Sequence, residues 1–484
     1  MNHGLEVQER EFSKLIRSAR KTEWGRKYGY EDIKNTETFQ QRVPISNYED
    51  IFPYIERMMQ GEQNVLWSSP IRLFAKSSGT TNARSKFIPV SLESLESCHY
   101  QGGKDLITLY AHNRPDAKVF AGKALSIGGS LQPYSENKNA LIGDISAIVM
   151  KNLPGWVQFF RTPGLDIALM DEWEEKIEKM AQLTAKQEVT TILGVPTWTV
   201  VLLERILELT GKQHMLEVWQ NFEVFCHGAV SFEPYRDLFK KKFFPSDQVN
   251  YMEIYNASEG YFGLQDDISV PEMLLMLDYG VFYEFIPLEE ENNPNPKVLT
   301  LAQVEAGKNY ALVISTNAGL WRYKIGDTIK FTSVNPYRIK ISGRTKHFIN
   351  AFGEEMIVEN AEIAITKACE ATGAVIANYT AAPVFMEKGK RGGHEWIIEF
   401  ITEPTDLQYF TQVLDATLRE INSDYDAKRY KDMALVLPII HPVPEKTFYN
   451  WLKKRNKLGG QHKVPRLSNS REYVDEILTM LEIA

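Results

Sequence analysis

The feature that most constrains the fold is the alternation of short β-branched segments with amphipathic segments between positions 189 and 260. VTTILGV (189–195) predicts a buried strand, and VVLLERILELTG (200–211) predicts a helix. EVFCHGAV (223–230) and NYMEIYNASEG (250–260) continue the pattern. Such spacing favours βαβ units in a largely parallel sheet, whose ligands bind where strands end in loops.

The chain of 484 residues is long enough for two or three domains, and its 43% apolar content is that of a folded protein. Its character changes near 335–350, where a strongly basic stretch ends the first pattern. We therefore predict an α/β protein with a large N-terminal domain over 1–343, built of mixed or parallel sheets flanked by helices. A smaller α+β domain is predicted over 344–484.

Apolar spacing at i, i+3, i+4 and i+7 predicts several helices. In the first domain their buried faces are formed by Phe12, Leu15, Ile16 and Ala19, and by Trp173, Ile177, Met180 and Ala181 after a capping box at Asp171. In the second domain we predict helices at 357–371, 405–421 and 471–482 and strands near 395–402 and 433–440.

Charge and composition exclude several classes of protein. Lys and Arg number 55 and Asp and Glu 63, so the net charge of −8 disfavours a nucleic-acid-binding protein. The three cysteines form no CxxC pair and predict neither a zinc site nor a disulfide framework, which fits a reducing cytoplasm. We expect no signal peptide and no membrane span, because no apolar run approaches about 20 residues.

The stretch KSSGTTNARSK (76–86) combines hydroxyl groups, a flexible glycine and cations. It lacks the spacing of a Walker A loop. It is either a phosphate-binding loop, in which backbone amides turn toward an anion, or a solvated surface turn. The residues that would surround a phosphate are Ser77, Ser78, Gly79, Thr80, Thr81 and Lys86.

Three further motifs each allow two interpretations. In EIYNASEG (253–260), Ser258 and Glu259 follow a strand, and Glu259 is either a Mg²⁺ ligand or part of a helix start. In LWRYKIGDTIKF (320–331), Gly326-Asp327 predicts a hairpin turn, or Asp327 accepts the hydroxyls of a ribose. GGQHKVPRL (459–467) is an exposed basic loop or a functional lysine loop.

The order of these motifs resembles that of the adenylate-forming enzymes: a Ser/Thr/Gly loop, Y-x-x-S-E from Tyr255, Y-x-x-G-D from Tyr323, a basic G-R-x-K stretch and a lysine loop. The spelling is closer to the auxin-responsive acyl-acid amido synthetases, whose S-S-G-T-[ST]-x-G-x-x-K-x-x-P motif is matched apart from Ala83 at the second glycine. Their K-x-P-R motif is matched from Lys463 to Arg466, while the hinge spelling is nearer the microbial branch.

This resemblance implies that ATP and a small carboxylic acid form an acyl adenylate, which an amine, typically an amino acid, then attacks. It implies that Lys86 and Lys463 are catalytic cations, that the 77–81 loop holds the β- and γ-phosphates, and that Glu259 binds Mg²⁺. It implies a rotation of the smaller domain about the link Arg344–Lys346 between the two steps. The remaining nucleotide-binding residues it suggests are Gly228, Ala229, Tyr255, Ser258, Asp327 and Arg344.

Two alternatives remain open at this point. One is an acyl-CoA ligase that uses the same adenylate with a thiol, and the other is a non-catalytic nucleotide-binding protein. The SSGTT spelling and the K-x-P-R motif favour the amido synthetase, and the retained Lys86, Glu259, Asp327 and Lys463 disfavour a decayed site.

Overall fold

A computed structural model describes residues 3–77, 86–229, 232–291, 293–344, 348–349, 354, 356–384, 392–422, 425–426, 429, 435–458, 463–468 and 470–482. The chain divides into two compact units. The first comprises Met1–Ala229 and Asp247–Ile341, and the second comprises Val230–Ser246 and Ser342–Ala484. The short segment Val230–Ser246, which the sequence pattern assigns to the N-terminal domain, therefore belongs to the second unit.

The helices are numbered here in chain order. They are α1 Gly4–Ala19, α2 Glu23–Lys27, α3 Thr36–Arg42, α4 Tyr48–Met59, α5 Leu92–Ser94, α6 Gln101–Asn113, α7 Ile145–Asn152, α8 Leu165–Ala168, α9 Trp173–Thr184, α10 Pro196–Thr210, α11 Glu233–Asp237, α12 Val358–Thr372, α13 Leu407–Ile421, α14 Thr447–Lys454 and α15 Glu472–Glu482.

The strands are numbered in the same way. They are β1 Leu73–Ser77, β2 Lys86–Val90, β3 Lys123–Ser126, β4 Leu131–Pro133, β5 Leu141–Gly143, β6 Arg161–Thr162, β7 Val189–Gly194, β8 Val224–Gly228, β9 Asn250–Ala257, β10 Gly260–Leu264, β11 Met273–Leu275, β12 Val281–Pro287, β13 Leu299–Thr300, β14 Asn309–Thr316, β15 Tyr323–Val334, β16 Tyr337–Arg344, β17 Phe348–Ile349, β18 Met356–Ile357, β19 Val375–Val384, β20 Gly393–Thr402 and β21 Ile439–Val443.

A large mixed sheet forms the centre of the first unit. Among the described residues it has 12 strands in the order β13-β12-β14-β15-β16-β11-β10-β9-β8-β7-β3-β6. The run β6, β3, β7, β8 and β9 is parallel, which confirms the prediction drawn from the β-branched segments. The strands from β10 onward pair antiparallel where their pairings are described. A second sheet has the order β2-β1-β5-β4.

The amphipathic helices of the first unit bury the faces that their spacing predicts. Phe12, Leu15, Ile16 and Ala19 of α1 are buried, as are Trp173, Ile177, Met180 and Ala181 of α9. The capping box expected at the start of α9 is wrong, because its N-cap residue is Glu172 and makes no side-chain capping hydrogen bond.

The second unit contains the predicted α+β elements. Helices α12, α13 and α15 lie within a few residues of their expected positions, and β20 confirms the strand near 395–402. The strand expected at 433–440 is found later, as β21 at Ile439–Val443, parallel to β20. The hydrophobic core of the second unit includes Ile365, Trp396, Phe410 and Leu414. In the described part of the chain, no helix combines the length and apolar character that a bilayer crossing requires.

A buried ion pair positions the start of β15. Arg322 has a φ of 42°, a left-handed conformation that strains a non-glycine residue. Its Nε lies 3.0 Å from Glu284 Oε2, and both side chains are buried. Its Nη1 donates to the carbonyl oxygens of Gln40 at 3.0 Å and Val43 at 2.7 Å. These contacts stabilise the strained turn that leads into β15.

We expect Arg322→Met to lower the free energy of unfolding of the first unit by about 3–5 kcal/mol, because it leaves the Glu284 carboxylate buried without its cation. Urea unfolding followed by tryptophan fluorescence measures this loss. The matched control is Lys308→Met, which breaks the exposed Lys308–Glu305 pair and should leave the curve unchanged. An equal effect of the two substitutions would contradict the prediction.

Candidate functional site

The hydroxyl-rich stretch joins two strands that pair with each other. β1 and β2 are antiparallel, and Ser77 lies opposite Lys86. Residues 78–85, and with them Ser78, Gly79, Thr80, Thr81 and Ala83, lie outside the described residues, as does the side chain of Ser77. The two ends of this stretch, Ser77 and Lys86, therefore lie opposite each other on paired strands.

Lys86 lies among aromatic side chains at the start of β2. Its Nζ is 3.4 Å from the hydroxyl of Tyr323 and 5.5 Å from the ring centroid of Tyr48. The Tyr48 hydroxyl accepts a hydrogen bond from the backbone N–H of Phe87 at 2.7 Å. An aromatic face attracts a cation, so these rings help to hold the ammonium group in place.

Gly326 and Asp327 lie within a continuous strand. The predicted hairpin turn is wrong, because β15 runs without interruption from Tyr323 to Val334. Its pairing with β14 shifts register between Ala311 and Val313, so β15 carries additional residues as a bulge at Gly326. Gly326 has a φ of 90°, which glycine adopts without strain. The bulge redirects the strand where Asp327 projects.

Asp327 is buried and hydrogen-bonded to a residue of another motif. The hydroxyl of Tyr255, in β9, donates to Asp327 Oδ2 at 2.6 Å, and both residues are buried. A hydrogen bond to an ionised carboxylate is short and comparatively strong, so it fixes the orientation of the group. The structure thus brings the Y-x-x-S-E and Y-x-x-G-D motifs together.

Ser258 and Glu259 form the turn between β9 and β10. The prediction that they follow a strand is confirmed, and the helix-start interpretation is wrong, because the chain enters β10 at Gly260. Ser258 is buried, and its hydroxyl has no hydrogen-bond partner among the described residues. Burying a hydroxyl without a partner costs about 1–3 kcal/mol, which suits a position that contacts a ligand or water.

The hydroxyl of Tyr323 is influenced by the charges of two of the candidate site residues, Glu259 and Asp327. Burial raises the pKa of its hydroxyl well above the ordinary value, and the negative charges of Glu259 and Asp327 add to the shift. The charges of Glu259 and Asp327 therefore act on the same hydroxyl that lies 3.4 Å from Lys86 Nζ. The sequence motif contains Tyr323, but its spacing gave no reason to place the side chain at the centre of the site.

Gly228 and Ala229 end the parallel strand β8. A Cβ on Gly228 would lie 2.4 Å from the carbonyl oxygen of Ile254 in β9, so only glycine allows the two strands to approach this closely. Ala229 is exposed and has a φ of 73°, an unusual conformation for alanine. Both lie at the carboxyl end of parallel strands, where ligands of such sheets bind.

The lysine motif lies in the second unit. The exposed-loop interpretation of 459–467 is wrong for its second half, because Val464, Pro465, Arg466 and Leu467 are buried. Lys463 itself is half-buried. Residues 459–462 lie outside the described part of the chain. Arg344 ends β16, and its side chain and the link residues 345–347 are likewise outside it.

A buried histidine supports the strand that carries Tyr255. His99 lies in the π-helical segment Leu95–Tyr100, and its Nδ1 is 3.2 Å from Oδ1 of Asn256. Burial lowers the pKa of the His99 imidazole to about 4, and the Asn256 hydrogen bond offsets only part of this. Sequence reasoning missed His99, because nothing in the local pattern connects it to a strand 157 positions away.

The fold resembles those of solved adenylate-forming enzymes. The structure of the GH3.15 acyl acid amido synthetase in complex with 2,4-DB matches with a TM-score of 0.79 and 17% identity, over 99% of this chain and 94% of that chain. The structure of 2-hydroxyisobutyryl-CoA ligase in the postadenylation state in complex with 2-HIB-AMP matches with a TM-score of 0.64 and 11% identity, over 99% and 92%. The chain has the fold of this enzyme class.

Sequence comparison specifies the family. The chain is 22% identical to indole-3-acetic acid-amido synthetase GH3.3 of Arabidopsis thaliana, over 95% of this chain and 89% of the relative. It is 24% identical to jasmonoyl-L-amino acid synthetase JAR4 of Nicotiana attenuata, over 67% of this chain and 66% of the relative. Residues 1–249, 274–344 and 359–472 match the N-terminal, central and C-terminal domains of the GH3 family. The chain belongs to the GH3 family, which confirms the resemblance inferred from its motifs.

The low pKa of His99 predicts that the stability of the folded protein decreases in acid. The unfolded chain takes up a proton near pH 6.5 but the folded chain only near pH 4, so the free energy of unfolding falls as the pH drops through this window. The expected loss between pH 7.5 and pH 5 is about 2 kcal/mol.

We expect His99→Asn to remove this part of the pH dependence, since asparagine carries no titratable group. Urea unfolding of both proteins at pH 7.5 and pH 5 measures the difference. Equal losses of stability in the parent and the variant would show that His99 does not carry the effect.

Proposed function

We propose that this chain is an ATP-dependent acyl-acid amido synthetase that adenylates a small carboxylic acid, releases pyrophosphate, and transfers the acyl group to an amino acid with release of AMP. The observation that carries the proposal is the buried hydrogen bond between Tyr255 and Asp327. It brings together residues of two motifs that are 72 positions apart, which supports a single site that also includes Lys86 and Glu259.

The first step brings two anions together. The carboxylate of the acid attacks the α-phosphorus of ATP, an acyl–phosphate bond forms, and pyrophosphate leaves with the electrons of the broken phosphoanhydride bond. Repulsion between the carboxylate and the phosphates opposes this approach, and cations offset it. Lys86 supplies one cation from the first unit, and Lys463, in the second unit, is proposed to supply another. The 77–81 loop is proposed to contact the β- and γ-phosphates.

Asp327 and the end of β8 are proposed to hold the nucleoside. An aspartate accepts hydrogen bonds from two neighbouring hydroxyls, which is the pattern that a ribose presents. The Tyr255 hydroxyl donates to one oxygen of the carboxylate, Oδ2, and so fixes its orientation. The half-buried Gly228 and the exposed Ala229 are proposed to lie against the adenine, and Arg344 to support the ribose.

The turn at Ser258 and Glu259 is proposed to bind Mg²⁺. The Glu259 carboxylate and the Ser258 hydroxyl, which has no hydrogen-bond partner in the described part of the chain, are hard oxygen donors, which this ion prefers. Mg²⁺ usually takes only one or two carboxylates besides phosphate oxygens and water. When bound, the ion would neutralise phosphate charge. The chain's own contribution is to hold these oxygens at the end of β9, where the parallel strands terminate.

Pyrophosphate exchange tests the adenylation step. With a library of carboxylic acids, the parent protein is expected to incorporate labelled pyrophosphate into ATP for at least one acid. Lys463→Ala should lower the exchange rate by about 100-fold or more, because it removes a charge that acts on the transition state.

Asp327→Asn should raise the KM for ATP in the same exchange assay by about 10-fold or more, since it weakens hydrogen bonds to a charged acceptor. Lys308→Ala serves as the control.

The acceptor is tested once an acid has been found. Incubation with ATP, that acid and either mixed amino acids or coenzyme A is expected to yield an amide, identified by mass spectrometry. A thioester without an amide would establish the acyl-CoA ligase instead. Absence of exchange with every acid, in a protein that still binds ATP, would favour the non-catalytic alternative.

A further inference from the structure

Arg466, three residues after Lys463, is buried at the centre of a polar cluster in the second unit. Its Nη2 donates to the hydroxyl of Tyr235 at 2.6 Å, and its Nη1 donates to the carbonyl oxygen of Tyr379 at 3.2 Å. Its Nε lies 3.5 Å from Glu362 Oε1. The guanidinium also lies over the Tyr379 ring, with its carbon 4.6 Å from the ring centroid. Neighbours on several sides therefore fix the orientation of this group.

The burial of the charge makes these contacts energetically important. Arg466 is 8% exposed and Glu362 is 7% exposed, so each charge depends on the other for compensation. The Tyr379 hydroxyl donates to Glu362 Oε1 at 2.8 Å and completes the cluster. A planar guanidinium supplies donors in a fixed fork, which a lysine ammonium cannot reproduce.

The backbone around Arg466 is attached to strand β19. The Thr380 hydroxyl donates to the carbonyl oxygen of Pro465 at 2.6 Å, and the Ala381 N–H donates to the carbonyl oxygen of Arg466 at 2.9 Å. The Ser468 N–H donates to the carbonyl oxygen of Ala381 at 3.0 Å. Lys463 thus immediately precedes a segment whose backbone is held on the second unit's sheet.

Tyr235 reaches this cluster from a distant part of the sequence. It lies in α11, within Val230–Ser246, the segment that leaves the first unit directly after Gly228-Ala229. Helix α11 contacts α12 and β19 of the second unit. The chain therefore passes between the units at three points, after Ala229, after Ser246 and after Ile341.

We propose that Arg466 is a positioning residue that connects Val230–Ser246 to residues 463–468, the segment that begins with Lys463. The two segments then move as one rigid body during adenylation. The segment that continues from the proposed adenine site then moves together with the lysine that acts on the phosphates. Without this connection, nucleotide still binds, but Lys463 spends less time in its working position, which lowers kcat. This inference rests on the role proposed above for Lys463.

A double-mutant cycle tests this connection. Arg466→Lys and Tyr235→Phe are each expected to lower the kcat of pyrophosphate exchange about 10-fold, and to change the KM for ATP less than about 3-fold. In a Lys463→Ala background neither substitution should lower kcat further, because Arg466 acts through Lys463. Equal losses with and without Lys463, or a loss confined to KM, would overturn the proposal.

Arg471→Lys is the matched control for these variants. Arg471 lies five positions after Arg466 and is also paired with a carboxylate, Glu395 Oε2 at 2.5 Å, and with the carbonyl oxygen of Pro383 at 3.1 Å. It is expected to leave the kcat of exchange unchanged. A loss in Arg471→Lys as large as that in Arg466→Lys would also overturn the proposal.

Hydrogen–deuterium exchange gives a readout that does not depend on activity. In Arg466→Lys and Tyr235→Phe, the amides of residues 233–243 are expected to lose protection, while those of α13, Leu407–Ile421, keep theirs. Unchanged protection of 233–243, or an equal loss in α13, would overturn the proposed connection. Because Tyr235→Phe removes only a hydroxyl, it remains informative if the arginine variant does not fold. A failure of the proposed function would instead appear as absent pyrophosphate exchange in the parent protein, with the protection difference intact.

Discussion

The site depends on the strained turn at Arg322, from which β15 begins. A non-glycine residue in a left-handed conformation persists only where its surroundings over-determine it. Here the guanidinium bonds Glu284 and two backbone carbonyls, and the backbone of Arg322 bonds the Ser315 hydroxyl and the N–H of Ser46. Tyr323 follows immediately, so the aromatic neighbour of Lys86 takes its position from this buried ion pair.

The two strand types of the large sheet contribute different parts of the site. Parallel strands β8 and β9 end at the same edge and place Gly228 and Glu259 at neighbouring strand ends. The antiparallel strand β15 contributes Asp327 from within its length, because the bulge at Gly326 changes the direction of the strand. The parallel strand β9 and the antiparallel strand β15 are joined by the hydrogen bond between Tyr255 and Asp327. The mixed sheet therefore assembles residues that no single βαβ unit would bring together.

Local patterns predicted the elements of this protein better than its turns. The β-branched run 189–195 and the spacing of Phe12 to Ala19 each depend on neighbours in the same element, and both were interpreted correctly. The bulge at Gly326 depends on the register of β14, so Gly-Asp resembled a hairpin turn. Val230–Ser246 belongs to the second unit through contacts with distant residues, such as that of Tyr235 with Arg466, 231 positions away, and the local sequence does not indicate these contacts. The motif order identified the candidate residues, while their contacts required the structure.

The triple passage of the chain between the units affects how the gene can be divided. A fragment that begins at Ser342 would omit Tyr235, so Arg466 would lose the hydroxyl that its Nη2 contacts. A fragment that ends at Ile341 would carry α11 without the β19 and α12 surfaces that it contacts. The second unit, which contains Lys463, is therefore not formed by one continuous stretch of the chain. An expression design that respects the physical boundary would graft residues 230–246 onto it through a circular permutation or a flexible tether.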